Sequence, residues 1–219
     1  MQDARHEDKP TVSRRIDWGA RIRARLANTQ PRHGVEDWIV PGLSAPDSQR
    51  YRAFFPTAPI PAAVLIPVVE HEEPTVLLTQ RATQLRNHAG QISFPGGRAE
   101  PEDPTPEFTA LREAGEEIGL AAERVEILAR LPDYLTRTGY RVTPVIGLIA
   151  PPLELVPDSR EVAEVFEVPL AFLLDPANHR RETRPIGDRT VTFYVLQYGD
   201  RRIWGATAGM LVNLYRMLS

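Results

Sequence analysis

Arg112-Glu113-Ala114-Gly115-Glu116-Glu117-Ile118-Gly119-Leu120 is the stretch on which the reading of this chain turns. The pattern predicts a helix from about Thr105 to Ile118, ended by Gly119, a residue that takes the left-handed conformation without steric cost. Glu113, Glu116 and Glu117 stand at i, i+3 and i+4 on that helix, so three carboxylates share one face. Such a face repels itself by a few tenths of a kcal/mol per pair, and by more where water is excluded, unless a cation occupies it. All-oxygen ligands without His or Cys favour Mg2+, or Mn2+, over zinc. A solvated acidic stripe is the competing explanation. Two neighbours weigh against it: Arg112, able to hold a carboxylate by a charge-assisted hydrogen bond, and Gly96-Gly97, a turn that lets main-chain groups approach a metal or phosphate closely.

Outward from this helix the chain reads as mixed strands and helices. Strand-like runs at 62–69 and 75–81 flank the polar turn His71-Glu72-Glu73-Pro74, a hairpin signal. Further strands are expected at 123–130 and at 141–149, the latter interrupted by Pro144. A second helix is expected from 160 or 161 to 174, placing Glu161 and Glu164 on a charged helix face, although Pro169 kinks or divides it. Runs at 190–197 and 201–204 resemble another hairpin, and 207–217 a closing helix. Near the start, Trp18, Ile22 and Leu26 recur every four residues on a short helix that Ser13 can cap, with Arg14, Arg15, Arg21, Arg23 and Arg25 on its other faces. Residues 1–12 are polar, and the proline-rich segment 28–60 reads as an irregular wrap over the core. The fold expected is α+β, a mixed sheet flanked by helices in α/β/α layers, because regular βαβ alternation is missing. The domain reading is an N-terminal extension over 1–58, carrying the short helix, and a main domain over 59–219.

Composition removes several functional classes. With 26 basic and 29 acidic side chains the net charge is −3, which gives no global field to hold a nucleic-acid polymer. No cysteine means no thiol nucleophile and no disulfide. The polar start lacks a signal-peptide core, and the apolar runs fall short of the ~20 residues of a membrane span, so a cytoplasmic location without membrane association is expected.

The segment from Gly97 through Arg112-Glu113-Ala114-Gly115-Glu116-Glu117-Ile118-Gly119-Leu120 resembles the Nudix box: a glycine, an acidic position, then Arg-Glu-apolar-any-Glu-Glu-any-Gly-apolar. The interval from Gly97 to Arg112 is one residue longer than the general pattern, and Asp103 falls at the acidic position usually held by Glu. Upstream, Leu77-Leu78-Thr79, Arg86, Gly90 and Phe94-Pro95-Gly96-Gly97 are spaced as in the coenzyme A pyrophosphatase branch, with Ala82 in place of a common serine. The longer box interval is similar to that branch too. The resemblance implies a layered Nudix fold that hydrolyses the pyrophosphate bond of coenzyme A or acyl-CoA, giving 3',5'-ADP and 4'-phosphopantetheine or its acyl form. It implies Glu113, Glu116, Glu117 and the Gly96 carbonyl as metal ligands, with Glu113, Glu116 and Arg112 in the catalytic set. Arg81, Arg86, Phe94 and Gly97 would line the substrate site, and a homodimer is compatible with it. Some family members place a base or an extra ligand on a later loop, for which Glu161 and Glu164 are available. Trp204-Gly205-Ala206-Thr207-Ala208 also resembles a segment of this branch. Three other readings remain open from sequence alone: Nudix chemistry on ADP-ribose, dinucleotides or nucleoside triphosphates, a non-catalytic nucleotide or acyl-CoA sensor, and an acidic metal-binding surface without catalysis.

Overall fold

The computed structural model describes residues 17–27, 58–85, 87–186 and 189–219. Ser13, and all but the end of the 28–60 segment, lie outside the described residues. The short helix α1 (Trp18–Leu26) is capped instead by Asp17, whose carboxylate accepts from the Ala20 N–H at 2.8 Å. Its apolar stripe works as the spacing predicts, with Ile22 and Leu26 buried and Trp18 partly so. The described arginines of the opposite faces are exposed; Arg23 pairs with Glu126, and Arg25 donates to the Ser219 carbonyl at 2.7 Å.

The main sheet is mixed, as expected, and its centre is a parallel pair that no hairpin rule could supply. Strand β1 (Ile60–Val69) runs beside β7 (Tyr140–Ile149) over its whole length, Ile60 opposite Tyr140 through Val69 opposite Ile149. Its contact with β2 (Thr75–Arg81) is limited to Val68 with Val76 and Val69 with Thr75. Short strands β3 (Ile92–Ser93) and β4 (Gly96–Arg98) pair with β2 and β1, and β5 (Val125–Arg130) and β6 (Tyr134–Leu135) with β7. Pro144 does not interrupt β7, because losing one N–H leaves its carbonyl free to accept from Leu131 N at 2.9 Å.

The expected second helix is largely a strand. β8 (Val162–Pro169) pairs antiparallel with β2 from Thr75–Pro169 to Arg81–Val162, and only one turn of helix, α3 (Leu170–Leu174), follows. Val162, Val165 and Val168 imitate helical spacing, yet these β-branched residues pack on both faces of a sheet: Val162 and Val165 on one side, Phe166 and Val168 on the other. A separate three-stranded sheet holds β9 (Arg180–Ile186), β10 (Arg189–Tyr198) and β11 (Arg201–Trp204), and leads into the closing helix α4 (Gly205–Leu218).

Two cores result. Even-numbered positions of β1, with α1 and α4, form one; odd-numbered Ala63, Leu65 and Val69 meet Ala110, Ala114 and Ile118 of the acidic helix α2 (Pro106–Ile118) in the other. Among the described residues no helix is long and apolar enough to cross a membrane.

Candidate active site

Helix α2 is positioned by local chemistry at both ends. Thr105 accepts from Phe108 N at 3.2 Å, Pro106 opens the first turn, and Gly119 closes the helix at φ 68°. A following segment docks on this end: Val156 N reaches the Ile118 carbonyl and Asp158 N the Glu117 carbonyl, both at 2.9 Å. A side chain at 119 would strike the Val156 backbone N at 2.9 Å, so glycine is needed for contact as well as for conformation.

The three glutamates leave the same face in different directions. Glu117 points inward, only 5% exposed; its Oε2 accepts from Gly96 N at 3.1 Å and its Oε1 lies 3.6 Å from Arg81 Nη1. Burial pushes its carboxyl up to about 7, against the pull of the Gly96 N–H and of Arg81 and with the push of Glu113 and Glu161. Glu113 is held over Gly97, where a Cβ would fall 2.5 Å from its carboxyl carbon and force the carboxylate to shift. Burial raises Glu113 as well, opposed by Arg112 and assisted by Glu116 and Glu161. The Glu116 side chain is 62% exposed and turns to Arg112 Nη1 at 3.3 Å. Among the described residues no three acidic or histidine side chains are gathered as a ready-made metal cage. The like charges of this turn are divided between two sets of partners: Glu117 turns to the Gly96 N–H, Glu113 and Glu116 to Arg112.

Arg112 organises this spreading. Its Nε and Nη2 donate to Asp103 at 3.2 and 3.0 Å, Nη2 also to the Arg98 carbonyl at 3.1 Å, and Nη1 lies 3.1 Å from Glu113. Every nitrogen of Arg112 is thus engaged by the chain. Asp103, its anchor, also accepts from Glu100 N and Thr109 Oγ1, and Arg112 is the foremost influence holding its carboxyl down to about 2. The extra residue of the 100–104 loop is thus absorbed in a turn that presents Asp103 to the helix.

Of the residues expected at the site, Arg81, Gly96, Gly97, Arg112, Glu113, Glu116 and Glu117 come together. Phe94 does not face them: it is 2% exposed in the core on the other side of the sheet, where it seats the start of the glycine turn. Arg86 lies outside the described residues. Glu164 pairs with Arg201 at 2.6 Å, outside the acidic cluster. Glu161 was expected on a helix face; it stands instead at the turn entering β8, its carbonyl accepting from Ala82 N at 2.8 Å. There its charge acts on both Glu113 and Glu117. The resemblance offered Glu161 as a later-loop residue beside the site, and the docking of the preceding segment on the end of α2 is what brings it there.

The donor set fits a hard divalent cation. Two carboxylates, Glu113 and Glu117, are raised by burial and by neighbouring acidic groups, oxygen is the only donor type, and the Arg81 guanidinium stays outside hydrogen-bonding range of Glu117.

A model of the NUDIX domain matches residues 59–189. A protein of Yersinia pestis (strain Pestoides F), named "Uncharacterized Nudix hydrolase NudL", is 40% identical over 161 residues, spanning 72% of this chain and 79% of that protein. Among solved structures, the Nudix hydrolase RenU from M. smegmatis is 30% identical with a TM-score of 0.43, covering 51% of this chain and 71% of that one. A MutT/nudix family protein from Enterococcus faecalis is 16% identical with a TM-score of 0.46, covering 80% and 69%.

Proposed function

The chain belongs to the Nudix hydrolase family, and from that membership we propose that it cleaves the pyrophosphate bond of coenzyme A or its thioesters. The products are 3',5'-ADP and 4'-phosphopantetheine or its acyl form. The observation that carries the substrate class is the 77–97 segment. Its Leu77 and Leu78 are buried in β2, Thr79 Oγ1 donates to the Ser93 carbonyl at 3.2 Å, and the strand delivers Arg81 to the acidic face. A guanidinium beside buried carboxylates suits a substrate that carries several phosphates.

Glu113, Glu116, Glu117 and the Gly96 carbonyl are the groups proposed to hold Mg2+, or Mn2+. The bound ion supplies neutralisation of the phosphate charge and polarisation of the phosphoryl oxygens. The chain's own part follows from geometry. Arg112, braced by Asp103 and the Arg98 carbonyl, sets the direction of Glu113 and Glu116. Glu113, raised by burial, is suited to take the proton of the attacking water. As the water oxygen bonds to phosphorus, the anhydride P–O bond breaks and the second phosphate leaves with its electron pair; Arg81 steadies the phosphoryl oxygens. The test is incubation with CoA, acetyl-CoA, ADP-ribose and NADH under Mg2+, with identification of the released phosphates. Turnover of CoA or acetyl-CoA to 3',5'-ADP supports the assignment; cleavage confined to ADP-ribose or NADH removes it.

A further inference from the structure

Arg81 and Arg112 flank the same glutamates and are held in opposite ways. All three nitrogens of Arg112 have partners on the chain. Arg81 ends β2 where the pairing with β8 slips between Gln80 and Arg81. Its Nε is buried and finds no hydrogen-bond partner among the described residues, and its Nη1 lies 3.6 Å from Glu117 Oε1, too far for a hydrogen bond. A planar fork built for bidentate contact with an anion thus stands against a buried carboxylate and bonds it through neither edge. Glu117, only 5% exposed, has no bulk water on hand to balance its charge in place of Arg81.

On the reading that Glu117 receives a divalent ion, two positive groups compete for one carboxylate, and close approach of both is repulsive. We infer that Arg81 is an exchangeable counter-ion: it balances Glu117 while the site holds no metal, and it is released to a phosphoryl oxygen of the substrate once a divalent ion takes that carboxylate. The unpaired Nε and the long Nη1 contact suit a side chain with a second position to fill. Coupling of this kind is reciprocal, so metal binding and Arg81 engagement at Glu117 oppose each other by the same factor. Arg81 is then a positioning residue for the ion and a binding residue for the substrate.

Mn2+ is titrated into the full chain, and free ion is followed by its electron paramagnetic resonance signal, for wild type, Arg81→Gln, Arg81→Lys, Arg98→Gln and Glu117→Gln. Arg81→Gln should tighten Mn2+ binding by roughly 5- to 150-fold, the usual range of site-to-site coupling. The same variant should raise KM for whichever pyrophosphate substrate the wild type turns over. Arg81→Lys keeps the charge and should bind Mn2+ as the wild type does, while failing to restore KM because it lacks the fork. A substitution that merely damaged the site would weaken the ion instead. Unchanged or weaker Mn2+ binding in Arg81→Gln, or equal tightening in the exposed Arg98→Gln, overturns the exchange. Failure of the wild type to bind Mn2+, or full binding by Glu117→Gln, overturns the metal-site reading itself, so the two failures are distinct.

Discussion

The two faces of the main sheet are made by the same strands and put burial to different uses. Beneath α1 and α4, the even-numbered side of β1 meets Leu, Ile and Met side chains such as Ile22, Leu211 and Met210, and burial there yields cohesion. Beneath α2, the residues nearest the site are small: Ala63, Gly97, Ala110 and Ala114. They let the helix come close enough to push Glu113 and Glu117 out of water, where burial raises the free energy of their charged forms. One face stores stability; the other spends part of it on an unmet demand for positive charge.

The sharpest way to break this contrast is to remove a charge from one face and a hydrocarbon from the other. Glu117→Gln should lower Mg2+-dependent turnover by about 10²- to 10³-fold or more, as the loss of one preorganised electrostatic contact does elsewhere. Its melting temperature in chelator should hold or rise, since a buried charge is gone and the Gly96 N–H still has an acceptor. A Glu117→Gln protein that is both active and unstable would reverse the assignment of the two faces.

Leu211→Ala, under the opposite face, should behave the other way. Leu211 is fully buried in the α4 core, so truncation costs about 2–5 kcal/mol in denaturant unfolding. The kcat of the protein that remains folded should stay at the wild-type level.

Gly97→Ala tests the contact between the two materials, small backbone and carboxylate. The added methyl would fall 2.5 Å from the Glu113 carboxyl, the far end of a flexible side chain, so the carboxylate yields and the fold survives. A displacement of this order costs up to roughly 10²-fold in rate when the moved group acts in the chemistry. Unchanged kcat together with unchanged stability would show that Glu113 does not act from its present place.

Both faces were legible in part from the sequence. The α2 boundaries are written locally, in Thr105, Pro106 and Gly119, and structure and expectation differ there by one residue. The strand character of β1 was visible too, as an apolar run, although not its partner β7. The parallel match with β7 joins Ile60 to Tyr140, and pairing between residues so distant in sequence leaves no local trace. The same blindness turned β8 into a helix, because spacing of Val162, Val165 and Val168 is all a single sequence offers until β2 is known to lie alongside. It also hid β9, whose Arg180, Arg181, Glu182 and Arg184 carry no apolar pattern and which is a strand through its pairing with β10. At the site, the residue types announced an acidic cluster with an arginine. Which glutamate is buried, and that Asp103 braces Arg112 from outside the helix, depend on how the 96–103 loop returns to α2.

The smallest effect is the one that separates the two kinds of carboxylate on the acidic face. In protein freed of divalent ions, the Glu117 carboxyl stands at about 7 when folded, above its ordinary 4.5. The folded state therefore binds more proton between these values, and the contribution of neutral Glu117 is complete below 4.5 and lost as pH rises through 7. Asp103 does the reverse: held at about 2, below its ordinary 3.8, it contributes above 3.8 and loses that contribution as pH falls through 2. Over the range from about pH 5 to about pH 8 only Glu117 of this pair titrates, so the melting temperature in chelator should decline across it. Saturating Mg2+ prefers the ionised carboxylate and should flatten or invert that slope, and Glu117→Gln should flatten it with no ion present. A slope that survives undiminished in Glu117→Gln would place its origin in other groups, and the burial of Glu117 would then not set the proton balance of the acidic face.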